Sequence, residues 1–148
     1  MKIICQNKKA SFDYFLEDAY EAGIKLTGTE IKSIRLGKVN INDSYVLIRG
    51  NQVFIINMFI AKYEQGNIFN HQERRNRELL LHKKEIRKLD SLVTREGVTL
   101  IPTKLYFVDS LVKLEFCIAK GKKNYDKRQA IKEKDLKRDM AVKFKERY

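Results

Sequence analysis

Cysteine, histidine and proline are scarce in this 148-residue chain, with two, two and one, and tryptophan is missing altogether. Cys5 and Cys117 belong to no CxxC pair, so neither a disulfide framework nor a zinc ribbon can be built, and both suit reduced thiols. His71 and His82 have no further histidine or cysteine pair to complete a metal set. His71, between Asn70 and Gln72, reads as a polar loop residue, and His82 as part of a helix start. No apolar run approaches the roughly 18–20 residues that cross a bilayer. Met1 to Gln6 is apolar for only a few residues and lacks a cleavage pattern, which points to a cytoplasmic protein. Phosphate-loop chemistry is excluded as well. Gly121-Lys122-Lys123 has neither the preceding glycine nor the Ser/Thr that such a loop requires. No serine or cysteine carries the flanks of a nucleophile motif. The expectation is a protein that is not an enzyme, with no cofactor and no metal.

Basic residues are plentiful. Lysine and arginine number 31 against 19 acidic residues, a net charge of +12, which calls for a polyanionic partner. The excess is uneven. Lys120 to Tyr148 hold 12 basic and 5 acidic residues, more than half of the net charge. The chain therefore divides into a body, 1–119, and a basic C-terminal tail, 120–148. In the tail Leu136, Met140, Phe144 and Tyr148 recur every fourth residue, one face of a helix. Lys134, Lys137, Arg138, Lys143, Lys145 and Arg147 surround them. Four apolar side chains do not hold an isolated helix in water, so the tail is expected to fray when free and to become helical when bound. The same four are too few to dock on a membrane surface.

The body reads as short strands and two helices. Phe12, Tyr14 and Leu16 alternate with polar neighbours, and Ile24 and Leu26 resume the pattern after a bulge at Ala22-Gly23-Ile24. Thr27 to Glu30 has the form of a capping box that opens a short helix with Ile31, Ile34 and Leu36 inward and Gly37 at its end. Tyr45–Arg49 and Val53–Ile60 form a hairpin about Gly50-Asn51. A long polar loop follows from Tyr63 to Arg77; its Arg74, Arg75 and Arg77 are either a binding loop or a solvated edge. Leu79-Leu80-Leu81 leads into a helix with Ile86, Leu89 and Val93 inward, stopped at Gly97. Val98–Phe107 and Leu111–Ala119 make a last hairpin about Asp109-Ser110, and Pro102 requires an edge or a bulge in its first strand. Mostly antiparallel strands with two helices predict a mainly β chain with flanking helices: a small antiparallel barrel of the OB type or a close relative.

Aromatic residues set among cations, Tyr63, Phe69, Tyr125 and Phe144, can stack on exposed bases. Their bland alternatives are a strand end for Tyr63, a pinned loop for Phe69 and helix packing for Phe144.

Six segments in order carry a resemblance. They are Asn7-Lys8-Lys9-Ala10, Tyr20-Glu21-Ala22-Gly23-Ile24, Gly28 to Arg35, Asp43-Ser44-Tyr45-Val46, Leu79-Leu80-Leu81-His82-Lys83, and Ala119 to Lys123 followed by Asp126-Lys127-Arg128. With them the chain resembles the SmpB family of SsrA-binding proteins. The resemblance implies an OB-type barrel with a basic tail, and trans-translation as the function. The body would bind the tRNA-like domain of tmRNA (SsrA RNA) and help deliver it to stalled ribosomes. The tail would sense the empty decoding site and messenger channel against small-subunit rRNA. EF-Tu and alanyl-tRNA synthetase would take part indirectly, through tmRNA.

The resemblance also assigns residues. Asn7, Lys8, Glu21, Leu80, Lys113, Lys120, Lys122 and Lys123 would meet tmRNA. For Glu21 the alternative is a carboxylate capping backbone donors at the bend, and for Leu80 a place in the core. Gly121 would let the chain turn away from the barrel. Tyr125, Asp126, Lys127, Arg128, Lys134, Lys137, Arg138, Met140 and Phe144 would serve the decoding site and channel. Tyr125 stands where many relatives carry histidine, which keeps base stacking and removes any role for a protonated imidazole. The competing reading is a general OB-type RNA- or ribosome-binding protein with a non-specific electrostatic tail.

Overall fold

The computed structural model describes residues 2–64 and 70–121. The expected helix of the tail and the candidate residues from Lys122 to Phe144 lie outside them, as does Phe69. In chain order the elements are β1 (Lys2–Gln6), α1 (Ala10–Asp13), β2 (Tyr14–Ile24), α2 (Gly28–Arg35), β3 (Val39–Asn40), β4 (Tyr45–Arg49), β5 (Gln52–Ile56), β6 (Phe59–Ile60), β7 (Arg77–Leu80), α3 (Lys83–Glu96), β8 (Thr99–Val108) and β9 (Leu111–Gly121).

The main sheet runs β1-β8-β4-β5-β7-β2-β9, and β9 pairs again with β8. Six strands thus close on themselves, with β1 added outside β8, and every pairing is antiparallel. Closure removes the free edges that a small open sheet would present. This is the mainly β barrel with flanking helices that the sequence predicted. The interior is filled by alternate residues of each strand, among them Val53, Ile55, Leu79, Leu100, Leu105, Leu114 and Phe116. Each such side chain contributes about 1.5–3 kcal/mol by leaving water. A smaller cluster of Ala10, Ile101 and Ala119 lies under α1, with Tyr14 and Leu16 against it.

Local signals are placed well. Thr27 caps α2, with both bonds of the capping box to Glu30 formed, and Gly37 follows at φ +75°, although Leu36, at the C-cap, is exposed rather than inward. Gly50 takes φ +64° at the first position of the β4–β5 turn, and Gly97 ends α3 in the left-handed region. The Pro102 strand carries its bulge between Pro102 and Lys104, although β8 is no edge but pairs with β1, β4 and β9.

Other expectations are corrected. Phe12 belongs to the single turn of α1, so β2 begins at Tyr14. The irregularity in β2 falls between Leu16 and Ala19; Gly23 is in regular register with both neighbours. The long run after Gln52 breaks at Asn57, which has φ +66°, and β6 turns away to pair with β3. Leu79 and Leu80 do lead into a helix, α3 from Lys83, but they end a strand, β7, that the sequence pattern does not predict. Gly121 makes no turn, being the last residue of β9 opposite Tyr14. The first strand, β1, has no clean alternation and gave no signal in the sequence.

Candidate nucleic-acid interface

The register of three strands assembles the central feature. Gly23 on β2 lies opposite Leu80 on β7 on one side and Lys113 on β9 on the other. Lys113 in turn lies opposite Tyr106 on β8. Inward neighbours fix the direction: Ala22, Leu79, Val112, Leu114 and Leu105 are all buried in the core. With a side-chain period of two, Leu80, Gly23, Lys113 and Tyr106 form one row across the outer face of the barrel. Leu80 is 49% exposed, so it is no core leucine. Leu111, 60% exposed, stands beside it on a groove of about 240 Å³ that also takes in Ile24, Leu26, Ile31, Gly23 and Lys113. A Cβ on Gly23 would approach Leu80 at 3.5 Å, ordinary contact, so glycine here deepens the floor rather than relieving a clash.

Glu21 sits two residues before Gly23 and therefore on the same face. It does not cap backbone donors at a bend; its Oε2 accepts a hydrogen bond from the Tyr106 hydroxyl at 2.5 Å. Burial first, and then the Glu21 carboxylate, push the Tyr106 hydroxyl far up, so it stays a donor at all physiological pH. Tyr106 is 5% exposed and holds, on the face that leads to the groove, a carboxylate with no other side-chain partner among the described residues. Lys113, by contrast, makes no side-chain hydrogen bond or ion pair among the described residues. Glu115, opposite Glu21 and two residues from Lys113, accepts from the Thr103 hydroxyl at 2.6 Å, so the surface has an apolar floor, a cation unpaired among the described residues and two oriented carboxylates. Such a surface can hold a base against leucines, a phosphate on the lysine, and an amino donor on a carboxylate.

The other candidates lie elsewhere. The Asn7 side chain donates to the carbonyl of Pro102 at 3.1 Å, and its backbone N–H to Thr103 at 2.8 Å, tying the end of β1 to the β8 bulge. Lys8 is exposed on the following turn. Neither lines the groove. Lys120 is near the end of β9 with its ammonium 3.5 Å from Glu17. Sequence reasoning missed Tyr106, whose partner lies 85 residues away and left no local pattern.

The proposed arginine loop is not a free binding loop. Arg77 is fully buried, as is Glu30, and the two form an ion pair through Nε and Oε2. The remaining guanidinium donors reach the carbonyls of Met58 at 2.7 Å, Arg75 at 3.0 Å, Glu73 at 3.2 Å and Gln72 at 3.4 Å. Glu30 Oε1 accepts from Arg75 at 2.6 Å and from the Thr27 N–H at 2.8 Å. Burial alone would raise the Glu30 carboxyl, but these donors outweigh it and hold it below its ordinary value. Arg74 lies over the Phe59 ring, 5.4 Å from its centroid. His71 is buried, with Nε2 2.9 Å from the Ile60 carbonyl and Nδ1 2.9 Å from the Thr29 hydroxyl. Only the imidazole can supply the hydrogen to a carbonyl, so its Nε2 is a donor. Tyr63 closes the neck of the loop, as its backbone exchanges two hydrogen bonds with the Asn70 amide.

The thiols offer no nucleophile. Burial pushes Cys5 up to about 11 and raises Cys117 too, so both are protonated at neutral pH. No cluster of metal-ligating side chains occurs among the described residues. None of their helices is long and apolar enough to cross a membrane.

Comparison with known proteins gives this chain its relatives. The chain is 54% identical over 146 residues to the SsrA-binding protein of Geotalea uraniireducens, covering 99% of this chain and 97% of that one. The SsrA-binding protein of Thermoanaerobacter pseudethanolicus is 56% identical over 147 residues, with 99% and 94% covered. A solved structure described as "tmRNA-SmpB: a journey to the center of the bacterial ribosome" contains a chain 40% identical to this one. It superimposes with a TM-score of 0.68 over 86% of this chain and 93% of that one. The family profile described as SmpB protein matches residues 4–146, and the chain belongs to the SmpB family.

Proposed function

We propose that this chain is a non-enzymatic RNA-binding adaptor of trans-translation. Its body binds the tRNA-like domain of tmRNA, and the complex is brought to stalled ribosomes in the cytoplasm. The observation that carries the reading is the outer row of the barrel, where Leu80 and Lys113 flank Gly23 and Glu21 stands beside them. Leu80, Lys113 and the Glu21–Gly23 stretch are far apart in sequence, and a cation with no partner among the described residues, beside exposed leucines, has no stabilising purpose of its own. Relatives named for SsrA binding, and a tmRNA–SmpB structure of the same fold, supply the identity of the RNA.

The division of labour follows the charge. Recognition belongs to the body, 1–119, joined by Lys120, Lys122 and Lys123 at the start of the basic segment. The rest of 120–148 acts later, in the decoding site and messenger channel, where small-subunit rRNA is its polyanion. Tyr125, Asp126, Lys127 and Arg128 are assigned to the decoding site. EF-Tu and alanyl-tRNA synthetase meet the adaptor only through the RNA that they share.

Binding of the full chain to the tRNA-like domain, against a tRNA of similar size and across a salt series, tests the reading. Wild type should prefer the tRNA-like domain, and Leu80→Ala with Lys113→Ala should remove most of that preference while the protein stays folded. Equal affinity for both RNAs, falling with salt by about 0.7–0.9 log units per neutralised phosphate, would instead leave only electrostatic attraction.

A further inference from the structure

Helix α3 carries a charge pattern that its own stability does not explain. Ile86, Leu89 and Val93 pack inward. Lys84, Lys88 and Arg95 recur at the helical period on the opposite side, with Arg87 beside them, and all four are exposed. None forms an ion pair or a side-chain hydrogen bond among the described residues. Glu85 in the first turn and Arg95 in the last suit the helix dipole, whereas Lys83 and Lys84, also in the first turn, do not, and Arg87 and Lys88 lie mid-helix where the dipole gives them no role. Stability of the helix therefore accounts for Glu85 and Arg95 but not for Lys84, Arg87 and Lys88. The cations run from Lys84 to Arg95, about 16 Å along the axis at 1.5 Å per residue.

The position of this stripe suggests its partner. The helix begins three residues after Leu80, so the Cα of Lys83 lies within about 11 Å of the exposed leucine on the groove. We propose that the outward face of α3 is a phosphate track that continues the RNA surface begun at Leu80 and Lys113. It is the face that matters, along three turns, rather than the end of the helix. The track holds the backbone of the same RNA that occupies the groove, and so rests on the function proposed above. Unpaired lysine and arginine ammonium and guanidinium groups suit phosphates and carry no base preference. The groove would choose the RNA and α3 would add affinity and register.

The test uses the full chain with Lys84→Gln, Arg87→Gln and Lys88→Gln combined, against the tRNA-like domain of tmRNA and against an ordinary tRNA. The slope of log affinity against log salt should become shallower by about two to three, and affinity at low salt should fall about tenfold or more for both RNAs. The thermal midpoint should stay level or rise, which a purely structural role for these side chains would not give. Lys88→Gln alone should move the slope by about 0.9, guarding against an effect of the triple change on folding. An unchanged slope overturns the proposal. So does an unchanged slope with weakened ribosome binding, which would assign the track to ribosomal RNA. If Lys113→Ala leaves binding and preference intact while the α3 variant loses slope, the groove assignment fails and the track stands as an RNA surface by itself.

Discussion

Arg77 and Lys113 are cations on strands of one barrel, and they are put to opposite uses. Arg77 is wholly enclosed and its guanidinium satisfies a carboxylate and four carbonyls. Lys113 points outward beside exposed leucines and bonds to nothing described. Fixed, multidentate geometry suits the guanidinium to the first task, and a lone ammonium on a flexible stem suits the second. In this molecule a cation's role follows from where its donors go rather than from the charge density around it in sequence. The arginine-rich loop holds the fold, and a lysine in a hydrophobic strand is left facing outward.

Removing the enclosed arginine should have the largest effect. Arg77→Met leaves Glu30 buried without its main partner and frees four carbonyls that pin the loop. It should cost about 3–5 kcal/mol, read as a lower urea midpoint with the slope of the transition unchanged. The folded fraction that remains should bind RNA with the wild-type salt slope. A weakened slope there would mean that the arginine cluster also faces the ligand, and the contrast with Lys113 would collapse.

Acid should dissolve the same knot. The Glu30 carboxyl is held below its ordinary value of 4.5 in the folded chain, so the unfolded chain takes up the proton first. Its contribution is fully present above that value and is lost as the pH falls through the lower folded value. Urea midpoints measured down a pH series should therefore drop below about pH 4.5 in wild type and drop less steeply in Glu30→Gln. Equal steepness in the two proteins would move the acid sensitivity to other carboxylates.

How much of this could be read from the sequence depends on the distance between partners. The capping box of α2 and the stops at Gly37 and Gly97 were legible because all their parts lie within one or two turns. The sequence shows Glu30 as a cap, but its bond to Arg77 spans 47 residues and has no local signature. Glycine marks bulges, so the sequence points to Gly23, yet the register with β9 slips between Leu16 and Ala19, where no glycine signals it. Leu80 shows the same limit. Three successive leucines give no periodicity, so only the β7 register separates the inward Leu79 from the outward Leu80. Lys113 was legible as an outward residue because Val112 and Leu114 flank it in an unbroken alternation.

Lys113→Ala is the reverse of the arginine experiment. Stability should stay within about 0.5 kcal/mol, since no described contact is lost. RNA affinity should fall about tenfold, near 1.5 kcal/mol for one charge-assisted phosphate contact. The salt slope should become shallower by about 0.7–0.9. Loss of affinity without a change of slope would mean that the lysine stem packs against a base and its ammonium meets no phosphate.

The smallest and sharpest change is Tyr106→Phe. The ring stays packed in the outer row, and only the hydroxyl that donates to Glu21 is removed. Glu21 is exposed, so water can replace the lost donor and the cost to stability should be about 1 kcal/mol or less. What changes is orientation: the carboxylate regains its rotamers at the edge of the groove. Affinity for the tRNA-like domain should fall about threefold to fivefold, with the salt slope unchanged because no cation has been touched. Glu21→Gln, which keeps the shape and weakens the acceptor, should give a similar loss, and the double variant little more than either alone. Additive losses would separate the two residues and leave Tyr106 as packing beneath β1, with the carboxylate acting without its help.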